Sequence, residues 1–315
     1  MSDAVATPAR DPARRVSEGR PSRERFSTRR LSFDVDGDTC DATLYRPRDV
    51  ADPDAVILGH GFAAEASFGL DRIAERLVAA GYAAVTFDYR GFGDSEGEPL
   101  VLPSRQVADW SAAVDRVRAV ATLGDGLALW GVSLAGGHVV RVAAERRDVD
   151  AVVARTPFSD GRALLRSKSP TYLARAVGAG LRDRVGGLVG RPHRVKVYGR
   201  PDEFAALNEP GALDGYAALI PRNSTWQNRT RARTLLALPR YRPVADAADV
   251  GCPSLVVAGT EDAVVPYATA ERLADALPAS SLVALPMGHF DPWEDRFVEV
   301  LAHEVAFLDE ALGRP

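Results

Sequence analysis

One stretch of the sequence, LALWGVSLAGG at residues 127–137, constrains the fold more than any other. Its first four residues are apolar and typical of a buried β-strand, and the small and apolar residues after it predict a helix. Ser133 would then lie on a sharp turn from strand to helix, with its hydroxyl raised above the sheet and the first free N–H groups of the helix beside it. We therefore expect a nucleophilic serine at this position.

The residues around the serine must be small, because the backbone on either side of such a turn passes close to itself. Gly131 meets this requirement on one side. On the other, the pattern G-x-S-x-G has Ala135 at its last position, followed by two glycines. A motif this short occurs by chance in Ala-rich chains, so the interpretation depends on the flanking strand and helix and on partner residues elsewhere.

Short apolar runs alternate with helical patterns along most of the chain. Residues 27–35 and 39–46 alternate between apolar and polar side chains, as two antiparallel strands joined by a tight Asp-Gly turn would. Continuous apolar runs with helical patterns between them, typical of parallel strands covered on both faces, follow at residues 55–58, 82–87, 127–130, 151–154, 255–258 and 282–285. This alternation predicts an α/β fold with a doubly wound, mostly parallel sheet, whose ligands bind at the carboxyl ends of the strands.

The rhythm of strands and helices is interrupted at residues 157–246, which combine helical patterns with turn-rich stretches. An insertion that leaves the sheet after one strand and returns before the next would cover the strand ends, so we expect a mainly helical cap there. The α/β core would comprise residues 26–156 and 247–315. Residues 1–25, rich in Arg, Ala, Pro and Ser, are predicted to be a disordered tail.

Composition excludes several classes of protein. No run of about 18 apolar residues exists, so we expect no membrane partner, and the net charge of −4 argues against a nucleic-acid-binding protein. The N-terminal residues lack the apolar stretch of a secretion signal. Cys40 and Cys252 lie far apart and in no metal-binding spacing, so we expect buried free thiols, a cytoplasmic protein, and neither a metal nor a cofactor.

A serine nucleophile needs a base within hydrogen-bonding distance, and the base must be oriented by an acid. After a serine on a strand-turn-helix bend, the expected chain order is acid and then histidine. Among the later histidines, His289 lies in a loop directly after a predicted strand and is the candidate base. His138 and His303 fall on helices and are expected to be packed or surface residues.

The candidate acid is Asp262, which follows the strand at residues 255–258 and precedes a helix. From that strand end its carboxylate could reach His289. Glu261, Asp160 and Asp291 are the alternatives, each with loop capping or a surface charge as its ordinary role.

The negative charge that develops on a substrate carbonyl requires N–H donors aimed at the oxygen atom. The backbone N–H of Leu134, directly after the serine, is one candidate. The other is the backbone N–H of Phe62, in the loop after the strand at residues 55–58. His60 would shape that loop rather than transfer protons.

Together these segments resemble the α/β-hydrolase superfamily over most of the chain. The similarity lies in the sequences HGF at residues 60–62, DYRGFGDSEG at 88–97, GVSLA at 131–135, TED at 260–262 and GHFD at 288–291. The resemblance implies the fold and a Ser-Asp-His triad. The segment at residues 87–97 is similar to a branch with dienelactone-hydrolase-like and prolyl-peptidase-like esterases and capped microbial enzymes, including polyketide acyltransferases. A serine replaces the cysteine nucleophile of dienelactone hydrolases proper.

The predicted activity is hydrolysis of a carboxylic ester or thioester of a small-molecule acyl substrate through an acyl-enzyme on Ser133. Acyl transfer to an alcohol or amine would use the same residues under a cap that excludes water. A peptidase and a noncatalytic ligand-binding protein of this fold are further alternatives. Phe158, Tyr172 and Trp226 are candidate walls of the acyl pocket.

Residues 157–250 contain sixteen Arg and Lys against eight Asp and Glu. A basic cap of this kind would attract an anionic acyl donor, such as a carrier-linked thioester. A solvated arginine-rich surface would explain the same composition.

Overall fold

The computed structural model of the protein describes residues 24–313. Its strands are β1 (Phe26–Val35), β2 (Asp38–Pro47), β3 (Ala55–Gly59), β4 (Ala83–Phe87), β5 (Leu127–Val132), β6 (Ala151–Arg155), β7 (Arg194–Tyr198), β8 (Ala205–Leu207), β9 (Thr230–Arg231), β10 (Ser254–Gly259) and β11 (Ser280–Leu285). Its α-helices are α1 (Leu70–Ala79), α2 (Pro103–Arg118), α3 (Leu134–Glu145), α4 (Gly161–Ser167), α5 (Pro170–Leu188), α6 (Ala212–Leu219), α7 (Thr234–Ala237), α8 (Tyr267–Ala276) and α9 (Phe297–Ala311). Short 3-10 helices occupy Leu238–Arg240, Pro243–Ala245, Ala247–Asp249 and Asp291–Trp293. The tail predicted at residues 1–25 lies almost entirely outside the described residues.

One eight-stranded sheet organises the molecule, in the order β1-β2-β4-β3-β5-β6-β10-β11. Strand β2 is antiparallel to both β1 and β4, and the other neighbouring strands are parallel. The doubly wound, mostly parallel sheet predicted from the sequence is therefore confirmed. Because the parallel strands run in one direction, the loops after β3, β5, β10 and β11 meet at one edge of the sheet.

The first two strands form the predicted hairpin. Its turn residues Asp36 and Gly37 have φ angles of 51° and 89°. Two consecutive positive φ angles are typical of a type I′ turn, whose twist matches that of the strands it joins. Val35 pairs with Asp38 across this turn, and the pairing continues to Phe26 and Pro47.

The central strands are buried on both faces, as their continuous apolar sequences predict. In β3, Val56 and Leu58 pack in the layer that includes α1 and α9, whereas Ile57 packs in the layer that includes α2, α3 and α8. Cys40 and Cys252 are buried free thiols, as predicted. The two helical layers thus fix the sheet, and with it the loops at its carboxyl edge.

Between β6 and β10 the chain forms helices α4 to α7, as expected, and also three short strands that the sequence analysis did not predict. These strands form a small sheet in the order β8-β7-β9. Strand β7 has five residues, β8 has three and β9 has two, too few to produce a recognisable periodicity. That residues 157–246 act as a separate cap stays a prediction.

Candidate active site

Ser133 lies on a strained turn between β5 and α3. Its φ angle of 56° and ψ angle of −117° are conformations that a residue with a β-carbon rarely adopts. Two backbone hydrogen bonds hold the turn: the Ser133 N–H donates to the Arg155 carbonyl at 2.9 Å, and the Phe158 N–H donates to the Ser133 carbonyl at 2.8 Å. The end of β6 therefore fixes the orientation of the serine.

Close backbone approaches explain the small residues around Ser133. A β-carbon at Gly131 would lie 2.3 Å from the carbonyl oxygen of Ala135. A β-carbon at Gly61, in the loop after β3, would lie 3.0 Å from the β-carbon of Ser133. A side chain at residue 131 would therefore clash within the turn, and one at residue 61 would press against Ser133 unless the loop shifted slightly.

A chain of hydrogen bonds joins Ser133, His289 and Asp262. The Oγ atom of Ser133 lies 3.0 Å from Nε2 of His289, and Nδ1 of His289 lies 2.7 Å from Oδ2 of Asp262. The other oxygen, Oδ1, accepts the backbone N–H groups of Val264 and Val265 at 2.8 and 2.7 Å. The loop after β10 thus holds the carboxylate in one orientation.

This arrangement determines what the histidine can do. A proton on Nδ1 that is donated to Asp262 leaves Nε2 free to accept the proton of the Ser133 hydroxyl. Both side chains are buried, with 7% of His289 and 2% of Asp262 exposed. In such surroundings the ionic hydrogen bond is weakly screened by water, so a positive charge that forms on the imidazole would be stabilised.

The loop after β3 approaches the serine and is held from its other side by the segment between β6 and β10. The Tyr216 hydroxyl donates to the Phe62 carbonyl at 2.7 Å. The Trp226 indole N–H donates to the Ala63 carbonyl at 2.8 Å. Ala63 itself has a φ angle of 54°, a left-handed conformation that is unfavourable for alanine and must be imposed by these surroundings.

Comparison with known proteins identifies the family. Residues 52–285 match the hydrolase family described as Serine aminopeptidase, S33. The chain belongs to this family. The resemblance to α/β-hydrolases is therefore confirmed at the level of the superfamily, while the esterase branch remains a prediction.

Curated and solved relatives agree with this assignment. The α/β-hydrolase described here is 34% identical over 284 residues to the Quorum-quenching protein AidA of Acinetobacter baumannii (strain MDR-ZJ06), covering 88% of this chain and 93% of the relative. It is similar in fold to DcsB in complex with its substrate analogue, with a TM-score of 0.79, 22% identity, and coverage of 90% and 100% of the two chains. The alpha/beta hydrolase GrgF from Penicillium sp. sh18 has a TM-score of 0.77, 21% identity, and coverage of 91% and 99%.

A small cavity of about 30 Å³ adjoins Ser133 in this hydrolase. Its walls come from the loop after β3, the serine turn, β8, α6 and the histidine loop: His60, Gly61, Phe62, Ala64, Val132, Ser133, Leu207, Tyr216, Leu219, His289, Phe290 and Trp293. That volume holds roughly one water molecule. Ser133 itself is partly exposed, and the cavity is far smaller than the roughly 300–1,000 Å³ of a typical ligand pocket.

The three aromatic residues predicted as pocket walls lie in different places. Trp226 contacts the loop after β3 and stacks on Tyr198, with ring centroids 6.0 Å apart. Tyr172 donates its hydroxyl to the Ala205 carbonyl at 2.8 Å, and Phe158 lines a separate cavity beside Val265. Sequence reasoning missed Tyr216 altogether.

Phe290 and Trp293 were also missed, although the sequence offered a signal for them. Both follow His289 closely in a loop that was expected to reach the serine, and large aromatic side chains in such a loop are natural walls for a pocket. Tyr216 offered no such signal, since only the folding of the intervening segment brings α6 over the loop after β3.

The alternative acids occupy other roles. Asp160 caps α4 through the Arg162 N–H at 3.0 Å and pairs with Arg242 at 2.9 Å. Asp291 accepts the backbone N–H of Gly288 at 2.7 Å and so shapes the histidine loop. Glu261 is exposed. Of the four candidate carboxylates, Asp262 is the one that hydrogen-bonds to a histidine.

The remaining histidines of the core are buried and uncharged near neutral pH. Burial lowers the pKa of His60 to about 4, and its Nδ1 accepts the backbone N–H of Gly61 at 2.8 Å. Burial lowers the pKa of His138 to about 3. His138 bonds to the Tyr241 hydroxyl at 2.8 Å. Within residues 24–313, no three His, Cys, Asp or Glu side chains cluster as ligands of a metal ion.

Proposed function

We propose that the protein is a serine hydrolase that cleaves a carboxylic ester or thioester through an acyl-enzyme on Ser133. The observation that carries this proposal is the pair of distances from His289, 3.0 Å to the Ser133 hydroxyl and 2.7 Å to the Asp262 carboxylate. Membership of a hydrolase family supports the reaction class.

In the first half of the proposed reaction, Ser133 Oγ attacks the substrate carbonyl carbon while Nε2 of His289 takes the hydroxyl proton. Asp262 stabilises the imidazolium that forms. The imidazolium then donates its proton to the departing alkoxide or thiolate, leaving the acyl group esterified to the serine.

In the second half, His289 removes a proton from water, and the resulting hydroxide attacks the acyl-enzyme. The carboxylic acid leaves as the proton returns to Ser133. In both halves the negative carbonyl oxygen would be bound by the backbone N–H groups of Phe62 and Leu134, and one such donor contributes roughly 10²–10³ in rate.

Ser133→Ala tests the proposal. On p-nitrophenyl acyl esters we expect kcat to fall by about 10⁶, because the nucleophile is gone, and a fluorophosphonate probe should no longer label the protein. The matched control is Ser32→Ala, which changes an exposed serine on β1 and should leave both readouts unchanged. Wild-type activity or labelling in Ser133→Ala would refute the assignment.

The substrate panel should cover the neighbouring activities. Aminoacyl p-nitroanilides test the peptidase that the family description implies. Ester-containing bacterial quorum signals are included because a relative is named a quorum-quenching protein. A carrier-linked thioester tests attraction of an anionic donor by the basic cap, which predicts a KM that rises with salt.

Acyl transfer to an alcohol or amine is the second candidate, because it would use the same hydrogen-bonded Ser133, His289 and Asp262. It requires a site that excludes water from the acyl-enzyme. Product analysis with an added alcohol or amine distinguishes the two reactions. Free acid as the sole product would eliminate the transferase.

A further inference from the structure

The outward face of α5 carries a row of exposed apolar side chains. Val177, Leu181, Val185 and Leu188 are between 49% and 87% exposed. Their spacing of three or four residues aligns them along one side of a helix. We call these four residues the outer stripe. Exposed apolar side chains are normally scattered singly, so an aligned row indicates a surface that contacts a partner.

The opposite face of α5 is anchored to the protein. Ala176, Gly180 and Asp183 are buried there. The carboxylate of Asp183 accepts from Arg231 and from Arg233, each at 2.7 Å. Because these contacts fix the rotation of the helix about its axis, the outer stripe cannot turn inward and its side chains remain available to a partner.

Arginines border the outer stripe on both sides. At about 3.6 residues per turn, Arg182 follows one edge and Arg184 the other, and both are exposed. Arg175 lies further round on the side of Arg182, and its guanidinium stacks on Phe204 at 4.4 Å. Residues 161–200 contain ten Arg and Lys and a single acidic residue, Asp183, which is buried. The complementary partner is therefore apolar in the middle and negatively charged at its borders.

We propose that α5 docks the protein on an anionic lipid surface, with the outer stripe among the acyl chains and the bordering arginines at the phosphates. Arginine side chains can extend to the headgroups while their methylene groups stay in the apolar region. A second copy of the chain fits less well, because face-to-face packing would bring arginine borders together with no exposed carboxylate within residues 161–200 to pair with them.

Docking on a membrane differs from crossing it. In the part of the chain that the structure describes, no helix is long and apolar enough to cross a bilayer. The sequence analysis expected no membrane partner because it considered only spanning segments. The proposal revises that expectation for the membrane surface, and it does not depend on the proposed hydrolase activity.

Vesicle flotation of the full chain tests the proposal. We expect wild type to bind phosphatidylglycerol vesicles more tightly than phosphatidylcholine vesicles, and to dissociate when salt reaches about 1 M, where charges are screened within about 3 Å. Replacing Leu181, Val185 and Leu188 together with Gln should weaken binding by about tenfold or more. Glutamine keeps helix propensity, and the three positions are exposed, so the fold should persist.

Two further variants separate the outer stripe from other surfaces. Val298→Gln changes a side chain of α9 that is 40% exposed and should bind as wild type does. Arg182→Gln combined with Arg184→Gln should weaken binding to phosphatidylglycerol and reduce its salt dependence.

Three outcomes would overturn the proposal. The first is no binding of wild type to phosphatidylglycerol vesicles at low salt. The second is undiminished binding by the triple Gln variant, which would assign the affinity to another region such as the arginine-rich residues 1–25. The third is a wild-type dimer in analytical ultracentrifugation that becomes monomeric in the triple variant without any vesicle binding, which would make the outer stripe a self-association surface.

Discussion

The strand ends and the segment above them hold their parts of the candidate site by different means. Ser133 and Asp262 lie in short loops after the buried strands β5 and β10, where backbone hydrogen bonds fix them. His289 lies in the loop after β11, the partly exposed edge strand. Tyr216 and Trp226 come from the segment between β6 and β10, which we call the upper segment. Each contacts the loop after β3 through one side-chain hydrogen bond. The sheet therefore sets the positions of Ser133, Asp262 and His289, whereas the upper segment contacts one loop beside them.

The two regions also differ in their charges. The core buries an Arg155–Glu304 ion pair of which neither side chain is exposed. The segment above it carries its surplus of basic residues largely on its surface. We therefore expect substitutions at the strand ends and in the buried core to cause the largest losses of kcat or of the free energy of unfolding. Substitutions in the upper segment should cause the smallest.

After removal of the Ser133 hydroxyl itself, the largest effect is expected for Asp262→Asn. The N–H groups of Val264 and Val265 would hold the amide oxygen of the asparagine, so its NH2 group would face His289 and donate to Nδ1. The histidine proton would then lie on Nε2, where it cannot accept from Ser133, and kcat should fall by about 10⁴. Esterase kinetics measure the loss, and the unfolding midpoint shows whether the protein remains folded. Asp291→Asn, in the histidine loop but outside the hydrogen-bond chain, is the control. Equal losses in the two variants would mean that Asp262 only shapes a loop.

The next effect concerns stability rather than rate. Arg155 donates to Glu304 through Nε at 2.8 Å and through Nη2 at 2.6 Å, and its guanidinium lies 4.6 Å from the Trp130 ring centroid. Glu304→Gln leaves a buried cation without its counterion, which should lower the free energy of unfolding by about 3–5 kcal/mol.

Urea denaturation measures this loss, and α9 supplies a matched control. Glu299 on the same helix pairs with Arg296 at 2.8 Å, but both side chains are exposed. Glu299→Gln should cost about 1 kcal/mol or less. If the two glutamine variants unfolded at the same urea concentration, burial of the Arg155 charge would not matter as argued.

Sequence reasoning succeeded where local patterns determine structure. Continuous apolar runs predicted the parallel strands, and Asp36-Gly37 predicted the hairpin turn. The ends of parallel strands meet at one edge of the sheet. Ser133, Asp262 and His289 each follow a predicted strand in the expected chain order, so the sequence predicted that they lie close together. Their catalytic roles remain predictions for the kinetic experiments.

The sequence did not predict contacts that depend on how distant segments of the chain pack together. Tyr216 meets the Phe62 carbonyl across 154 residues of chain, and nothing in the pattern around residue 216 indicates that contact. Phe158, Tyr172 and Trp226 were candidate walls of the acyl pocket, and none of them lines the cavity at Ser133; their contact with a substrate stays a prediction. The short strands β7 to β9 were missed because so few residues carry no periodicity.

Acidification should weaken the core through His60 and His138. In the unfolded chain their pKa is about 6.5, whereas burial lowers the folded pKa of His138 to about 3 and of His60 to about 4. Below pH 6.5 the unfolded state therefore binds more protons than the folded state. For each histidine, the free energy of unfolding falls by about 1.4 kcal/mol for every unit by which the pH is lowered. Asp88 partly offsets this loss, because burial raises its pKa to about 7 and the folded state binds its proton first.

His138→Gln separates these contributions. Urea unfolding between pH 6.5 and 4.5 should show a dependence on pH that is shallower than that of wild type by about 1.4 kcal/mol per unit. Asp88→Asn should make it steeper, since the opposing group is removed. A His138→Gln variant with the wild-type slope would show that His138 gains its proton without unfolding.

The smallest effect is expected for Tyr216→Phe, which removes the hydroxyl that donates to the Phe62 carbonyl at 2.7 Å. A neutral hydrogen bond of this kind contributes about 1 kcal/mol. If it holds the loop that positions the Phe62 N–H, its loss should raise the activation free energy by about that amount and lower kcat about fivefold. KM should stay near the wild-type value, because Tyr216 acts through the loop rather than by binding the acyl group.

Tyr198→Phe is the control for Tyr216→Phe, because Tyr198 stacks on Tyr216 with ring centroids 4.9 Å apart and makes its hydrogen bonds to Asn228 through the backbone. It should leave kcat unchanged. Trp226→Phe, which removes the donor to the Ala63 carbonyl, should behave as Tyr216→Phe does. A change confined to KM in Tyr216→Phe would place its hydroxyl in the substrate pocket, and the upper segment would then bind substrate instead of adjusting the loop.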